Sequence, residues 1–294
     1  SAMVFLLTSL TPGDPSLQLL GPEATIEQRA QLRQELGLEE PVFEQYGDWA
    51  SAAVTGDLGR SIVTKQPVTD AIVERFPVTM SIVIGTLLVS VIVGAGLGIA
   101  SAVRGGWFGR LIDALAMLGL AIPVFWLGAE LIAIFAVKLG WFPVTGYVTF
   151  AESPSDWFRS LVLPVVALAS VGVAQLAKFT REAMLDALGS EYVRMARANG
   201  ISSRSIVFRH ALKSASVQIV TLTGLVTITL LVGSVFVETV FALPGLGSLI
   251  VSAVNSHDLP MVQGVAVVFT LIVIVVNLLV DVAYGLLNPK VRTS

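Results

Sequence analysis

An all-α integral membrane protein is the fold class this chain predicts, and three observations carry the prediction. Of its 294 residues, 54% are hydrophobic and only 13% are charged, about half the charged share of a soluble domain. Phe76 to Val103, Ser214 to Val237 and Leu259 to Val280 are each uncharged from end to end, and a bilayer core needs about 20 apolar residues in helix. The Lys and Arg residues also fall on alternate sides of these runs, as the positive-inside rule requires of a multi-pass protein.

The elements follow in chain order. Ser1 to Gly13 is apolar but too short to cross, so residues 1–10 read as the second half of a first transmembrane helix whose start is missing. Residues 11–75 read as an extracytoplasmic cap with turns at Pro12-Gly13 and Gly21-Pro22. It holds a helix from Thr25 to Leu36, capped by Thr25 and closed by Gly37. Residues 76–294 then form the transmembrane core. Besides the three uncharged runs, Ser160 to Ala177 is shorter and extends on both sides, and Asp113 to Lys138 is broken only by Glu130. Five complete spans and one partial span make six transmembrane helices.

Charge sets the orientation. With residues 11–75 outside, Arg104, Arg110, Lys178, Arg181, Arg194, Arg197, Arg204, Arg209, Lys213, Lys290 and Arg292 lie inside, eleven of the eighteen cations. The outer segment holds five cations against eleven acids, a net of −6. Both termini are then cytoplasmic.

The densest information sits between two apolar runs, in EYVRMARANGISSRSIVFRHALK at 191–213 within a loop at 186–213. Arg194, Arg197, Arg204, Arg209 and Lys213 face one acid, Glu191. Gly200 divides the segment into a short helix from Ser190 to Asn199 and a second helix capped by Ser202 or Ser203. Two short basic helices joined at a glycine, on the cytoplasmic face, predict a docking element for a soluble partner.

Other polar residues carry two readings each. Glu130, an intramembrane carboxylate, is a functional candidate or a hydrogen-bonded interface position. Glu238, placed just outside the fifth span and followed by TVFALPGLG, marks a re-entrant turn or outer gate, or a simple turn. Thr223 and Thr227 share a helical face with Thr221 and Thr229 nearby, and either line a polar path or bond their own backbone. Gly94, Gly96 and Gly98 predict close helix packing. Asp113 and Asp281 sit near cytoplasmic helix ends in structural roles.

Several functions are excluded or disfavoured. Cysteine is absent, which removes disulfides and thiolate metal sites. His210 and His257 are far apart and lack ligand-spaced companions, so no metal site is expected. No G-x-x-x-x-G-K-[ST] loop occurs, so the chain is not expected to hydrolyse ATP itself. No catalytic constellation is visible, and an acidic pI near 5.4 gives no sign of nucleic acid binding.

The basic loop resembles the EAA loop of ABC importer membrane subunits, whose general pattern is E-A-A-x3-G-x9-I-x-L-P. Aligned on Gly200, Arg194, Met195 and Ala196 stand at E-A-A, and His210 to Lys213 stand at I-x-L-P. Ala196, Gly200 and Leu212 match. A narrower match is to the dipeptide/oligopeptide permease subgroup, D/E-Y-V-R-T-A-R-A-K-G…R-H-A-L. PGDP at 12–15, ELGL at 35–38, GDLGRS at 56–61, ETVFALPGLG at 238–247, VQG at 262–264 and NLLVDVAYGLLNPKVR near the end agree with it. The chain is similar to the B-type subunit, whose long outer segment follows the first span.

That resemblance implies a type I ABC importer-like permease in a prokaryotic cytoplasmic (inner) membrane. It implies a second, C-type permease subunit, two cytoplasmic ATPase subunits that bind ATP and Mg, an extracytoplasmic peptide-binding protein, surrounding lipid, and no cofactor on this chain. Glu191, Tyr192, Arg194, Ala196, Arg197, Gly200, Ser202, Arg204 and His210 are the implied ATPase-coupling residues, with Glu191 to Asn199 as the coupling helix. Glu130, Thr223, Thr227 and Glu238 are candidates for the translocation path or gate. The same architecture serves nickel and glutathione importers. A secondary transporter or channel, the rival from another class, would instead show intramembrane charge pairs or inverted repeats with broken helices.

Overall fold

Side-chain oxygens that accept from nearby backbone N–H groups start several of the helices. The computed structural model describes Met3, Leu6, residues 24–35 and residues 41–287. The regular elements among these are all helical, with one isolated bridge between Arg60 and Pro67. Two compact units share them. One takes in Ser1–Val78 and Pro244–Ile272, the other Thr79–Leu243 and Val273–Ser294. The unit that contains the chain up to Val78 therefore also holds residues from much later in the sequence.

In the first unit, α1 (Ile26–Glu35) begins on a reciprocal cap. The Gln28 N–H donates to Thr25 Oγ1 at 3.2 Å and the Thr25 N–H to Gln28 Oε1 at 3.0 Å. The cap predicted at Thr25 is thus formed, whereas Gly37, the Pro-Gly turns and nearly all of residues 1–10 fall outside the described residues. α2 (Val42–Val54) turns Trp49 and Ala53 onto a core of Leu58, Val68, Ile72, Leu246, Leu249, Met261 and Val265. The long helix α3 (Val68–Arg104) starts here. So do α9 (Leu246–Asn255) and α10 (Leu259–Leu287).

The second unit is organised around α6 (Pro154–Gly189), whose most apolar stretch is 61% buried, against 33% for the equivalent stretches of α3 and α8 (Ser203–Val240). α3, α4 (Gly106–Ala121), α5 (Val124–Lys138) and α8 all pack on it. Small residues permit the closest approaches. A Cβ on Gly94 would lie 2.9 Å from Val173 O, and one on Gly98 would lie 2.6 Å from Ala177 O, while Gly96 faces open space. Two of the three predicted packing glycines therefore meet α6. Asp113 and Arg181 form an ion pair at 3.3 Å that ties α4 to α6, in keeping with the structural role expected of Asp113.

Four helices are long and apolar enough to cross a membrane: Val68–Arg104, Pro154–Gly189, Ser203–Val240 and Leu259–Leu286. The run from Asp113 to Lys138 differs from the single span expected. It is split between α4 and α5, which bend by 92° at Ile122-Pro123. Proline supplies no N–H and forces the residue before it out of the helical region; Ile122 accordingly has φ −80° and ψ 122°. Counted as one broken span, this pair makes five among the described residues.

Candidate functional site: a basic helix pair mounted on two spans

Between α6 and α8 lies α7 (Glu191–Ala198). Ser190 makes the joint at its start. Its hydroxyl donates to Ala187 O at 2.7 Å, the last turn of α6, and accepts from Val193 N–H at 3.4 Å, the first turn of α7. At the other end Gly200 has φ +75°. Its N–H donates to Arg197 O at 3.0 Å and the Ile201 N–H to Ala196 O at 3.1 Å. This is the bond pair by which a left-handed glycine closes a helix and satisfies its last carbonyls. Ser202, one of the two predicted caps, accepts from Ser205 N–H at 3.4 Å and starts α8. The expected helix, glycine, cap and second helix are all present.

The two short helices are held as one piece. Val193, Ala196 and Ile206 are buried together, with Leu188 and Ile201 packed against them. The Tyr192 hydroxyl is hydrogen-bonded to His210 Nδ1, and the two rings meet edge-on at 5.5 Å between centroids. Leu188 also packs on the neighbouring cluster of Ala102, Ala183, Met184, Ala187, Val207, Ala211 and Ala215. That cluster joins the loop-side ends of α3, α6 and α8, so one leucine touches both the helix pair and the bundle that carries it. A π-helical turn, Ile206–Ala211, lies where α8 passes between the two clusters, the kind of widened turn often found at functional positions.

What the pair presents to solvent differs from what it buries. Glu191, Tyr192, Arg194, Met195, Arg197, Ser202, Arg204 and Arg209 are exposed, and Phe208, 58% exposed, lies beside Arg204 and Arg209 in a shallow concavity. Ala196 is 5% exposed. Of the predicted coupling residues, it alone faces wholly inward, where it shapes the helix pair rather than offering a surface. His210 is half-buried by its tie to Tyr192. Ser190→Ala is expected to weaken the α6–α7 joint by about 1 kcal/mol, the usual cost of losing such a cap, read as a lower unfolding midpoint of the purified protein. An unchanged midpoint would count against the joint.

The candidate path residues are not brought together. Glu130 lies on an exposed face of α5. Glu238 is not outside the fifth span as expected: α8 runs on to Val240, which places Glu238 in its last turns with no exposed surface. There its Oε1 accepts from Thr79 Oγ1 at 2.7 Å, and its backbone O accepts from Leu243 N–H at 2.8 Å across the turn. Thr223 and Thr227 donate to Ile219 O and Thr223 O, each at 2.8 Å, which is the backbone-bonding alternative. An open groove of about 570 Å³ lined by Pro123, Phe125, Leu168, Thr229, Gly233 and Phe236 is almost wholly apolar. Thr229 reaches it; Thr223 and Thr227 do not.

Sequence reasoning missed the Tyr192–His210 tie, the Leu188 bridge and the Thr79 partner of Glu238. The first offers only a weak signal: Tyr192 and His210 lie eight and ten residues on either side of Gly200. Among the described residues no group of three His, Asp or Glu side chains has the arrangement of a metal site.

The bundle of α3 to α6 and α8 thus carries a capped basic helix pair at the ends of α6 and α8. Residues 92–293 match the family described as binding-protein-dependent transport system inner membrane component, and residues 1–83 match its N-terminal region. This chain belongs to that family and is a multi-pass permease subunit of an ABC-type importer. It is 41% identical over 291 residues to a putative peptide transport system permease protein of Brucella abortus, covering 99% of this chain and 93% of the relative. A probable peptide ABC transporter permease protein of Sinorhizobium fredii is 40% identical, covering 98% and 93%. The glutathione transport system permease protein of Escherichia coli K12 is also 40% identical, covering 99% and 93%. In fold, the chain is similar to the inward-facing MetNI methionine ABC transporter, with TM-score 0.58 and 18% identity over 74% of this chain and 96% of that one.

Proposed function

We propose that this subunit forms half of the translocation path of a di- or oligopeptide importer, together with a second, C-type permease subunit. In this reading α7 is the coupling helix and seats in a groove on one of two cytoplasmic ATPase subunits, which bind ATP and Mg. Both termini are cytoplasmic, and an extracytoplasmic binding protein delivers cargo to the outer segment. The observation that carries the reading is the exposed set Arg194, Arg197, Arg204 and Arg209 on a helix pair whose buried face is fixed to α6 and α8. Guanidinium groups pair with carboxylates through two parallel hydrogen bonds, which gives a docked helix both strength and register. A rigid mount lets closure of the ATPases move α6 and α8 as bodies. Peptide cargo is supported by the names of two relatives from different organisms. Glutathione, itself a tripeptide, is the second reading, supported by the Escherichia coli relative.

Reversing charge at the two arginines of α7, Arg194→Glu with Arg197→Glu, is expected to lower ATPase copurification by about tenfold or more. The permease should still insert, because neither side chain packs in the bundle. Full copurification of both ATPases with this double variant would sink the assignment of α7. Transport assays with radiolabelled dipeptide, tripeptide and glutathione in reconstituted vesicles then separate the two cargo readings.

A further inference from the structure

The turn between α3 and α4 lies on the face of the bundle that carries α7, since Ala102 of α3 packs with the loop-side ends of α6 and α8. Gly105 and Gly106 both have positive φ, +56° and +57°, which lets the chain reverse within two residues. α3 runs alongside α6 in the same direction, with Gly94 against Val173 and Gly98 against Ala177. α4 runs the opposite way, with Gly109 near Arg181 and Gly119 against Ser170 and Ala174. One face of α4 is thereby fixed on the bundle, and Gly109, Ile112 and Ala116 are buried in it.

The other face of α4 is open and carries two kinds of chemistry. Trp107, Leu111, Leu115 and Leu118 follow one another at the spacing of a single helix face. All four are exposed, Trp107 by 71%. At the α-helical rise this row is about 16 Å long, close to the depth of one leaflet of a hydrocarbon core, about 15 Å. At its turn end stand Arg104 and Arg110, both exposed, and neither makes an ion pair among the described residues. The Arg104 guanidinium lies 5.1 Å from the centre of the Phe108 ring. Arg110 Nε reaches only Gly106 O of its own first turn, at 3.5 Å. The one acid of α4, Asp113, is already engaged by Arg181.

An apolar row one leaflet long, bordered at one end by two uncommitted guanidiniums and a tryptophan, complements a molecule with an apolar tail and an anionic head. Tryptophan favours the headgroup level of a membrane, and arginines at that level attract anionic lipid. α10 supplies the contrast: Leu271, Leu278 and Val282 are also exposed, but its one charged residue is Asp281. Free cations beside the apolar row set the α4 face apart.

We propose that the α3–α4 turn and the exposed face of α4 bind an anionic phospholipid. Arg104 and Arg110 meet its phosphate, Trp107 stands at the level of its glycerol backbone, and Leu111, Leu115 and Leu118 lie along an acyl chain. The site depends on neither the cargo nor the partner subunits of the importer.

The test titrates the complete complex, freed of native lipid in detergent, with phosphatidylglycerol or phosphatidylcholine brominated on the acyl chains, which quenches nearby tryptophan. The signal of Trp107 is the difference between wild type and Trp107→Phe. Half-quenching is expected at about tenfold less phosphatidylglycerol than phosphatidylcholine. Arg104→Gln with Arg110→Gln should bring the two lipids within about twofold of each other. Arg104→Lys with Arg110→Lys should keep phosphatidylglycerol ahead, which separates lost charge from lost folding. Equal half-quenching by the two lipids in the wild type would overturn the proposal. So would a Trp107 that neither lipid quenches, because another subunit then covers the face. Inorganic phosphate added before the lipid should leave the phosphatidylglycerol midpoint within about twofold; a larger shift would mean a site for free phosphate instead of a lipid.

Discussion

Gly200→Val is expected to lower uptake per ATP hydrolysed by at least about tenfold in the assembled transporter while ATP hydrolysis persists. A Cβ at Gly200 would meet nothing within 4 Å, so the penalty is not a clash with neighbours. It comes from φ +75°, which costs a residue with a Cβ about 1–2 kcal/mol and a β-branched one more. The chain can avoid that cost only by giving up the bonds from Gly200 N–H to Arg197 O and from Ile201 N–H to Ala196 O. Ile201 would then leave the cluster that holds α7 against Ile206 and Leu188. About 2 kcal/mol shifts a two-state population toward a misdirected α7 by about thirtyfold. The comparison variant is Gly200→Asn, since asparagine tolerates the left-handed region better than other residues. Uptake per ATP hydrolysed, measured in proteoliposomes, should fall at least about tenfold for valine and much less for asparagine. Equal uptake ratios for valine and wild type would remove Gly200 from the coupling argument.

The same residues show what a linear sequence discloses. Ser190, Gly200 and Ser202 act through partners three or four positions away; the roles of Gly200 and Ser202 were legible in local chemistry, while Ser190 was read only as the start of a helix. The charge asymmetry and the apolar runs were legible for the same reason, because both are properties of short windows. Tertiary pairs were not. Glu238 and Thr79 are 159 positions apart, and Asp258 and Ser61 are 197 apart; nothing in either neighbourhood of the sequence names the other. Glu238 was misplaced by a few residues because α8 keeps its helix through Val240 before the positive-φ residue Ala242 turns the chain. The 92° break is a different case. Pro123 stood in the middle of an uncharged run, where proline is tolerated in membrane helices when neighbours re-satisfy the backbone. Whether the helix bends slightly or turns a corner there depends on packing, which composition does not carry.

The glycine trio of α3 offers the sharpest division between pattern and packing, and the second large effect. Gly94, Gly96 and Gly98 look equivalent in sequence. In the structure, a Cβ on Gly98 would stand 2.6 Å from Ala177 O, 2.7 Å from Thr180 Cβ and 3.0 Å from Arg181 N, two of which are backbone atoms of α6. No rotamer change relieves such contacts, so Gly98→Ala must push α3 and α6 apart along a seam that also holds Gly94 against Val173 and Leu176. Overpacking of this kind costs about 1–3 kcal/mol and more when backbone is involved. α6 is the most buried of the long helices, so its displacement disturbs every helix that packs on it. Gly96→Ala meets nothing within 4 Å and replaces a poor helix former with the best one. The expected order of unfolding midpoints in detergent is therefore Gly96→Ala at or above wild type, Gly94→Ala below it, and Gly98→Ala lowest. The double variant Gly94→Ala/Gly98→Ala should lose more than either single one, and because the two sites share a seam the losses need not add. Equal midpoints for Gly96→Ala and Gly98→Ala would show that α3 does not approach α6 through Gly98, and the helix-packing account of this bundle would have to be redrawn.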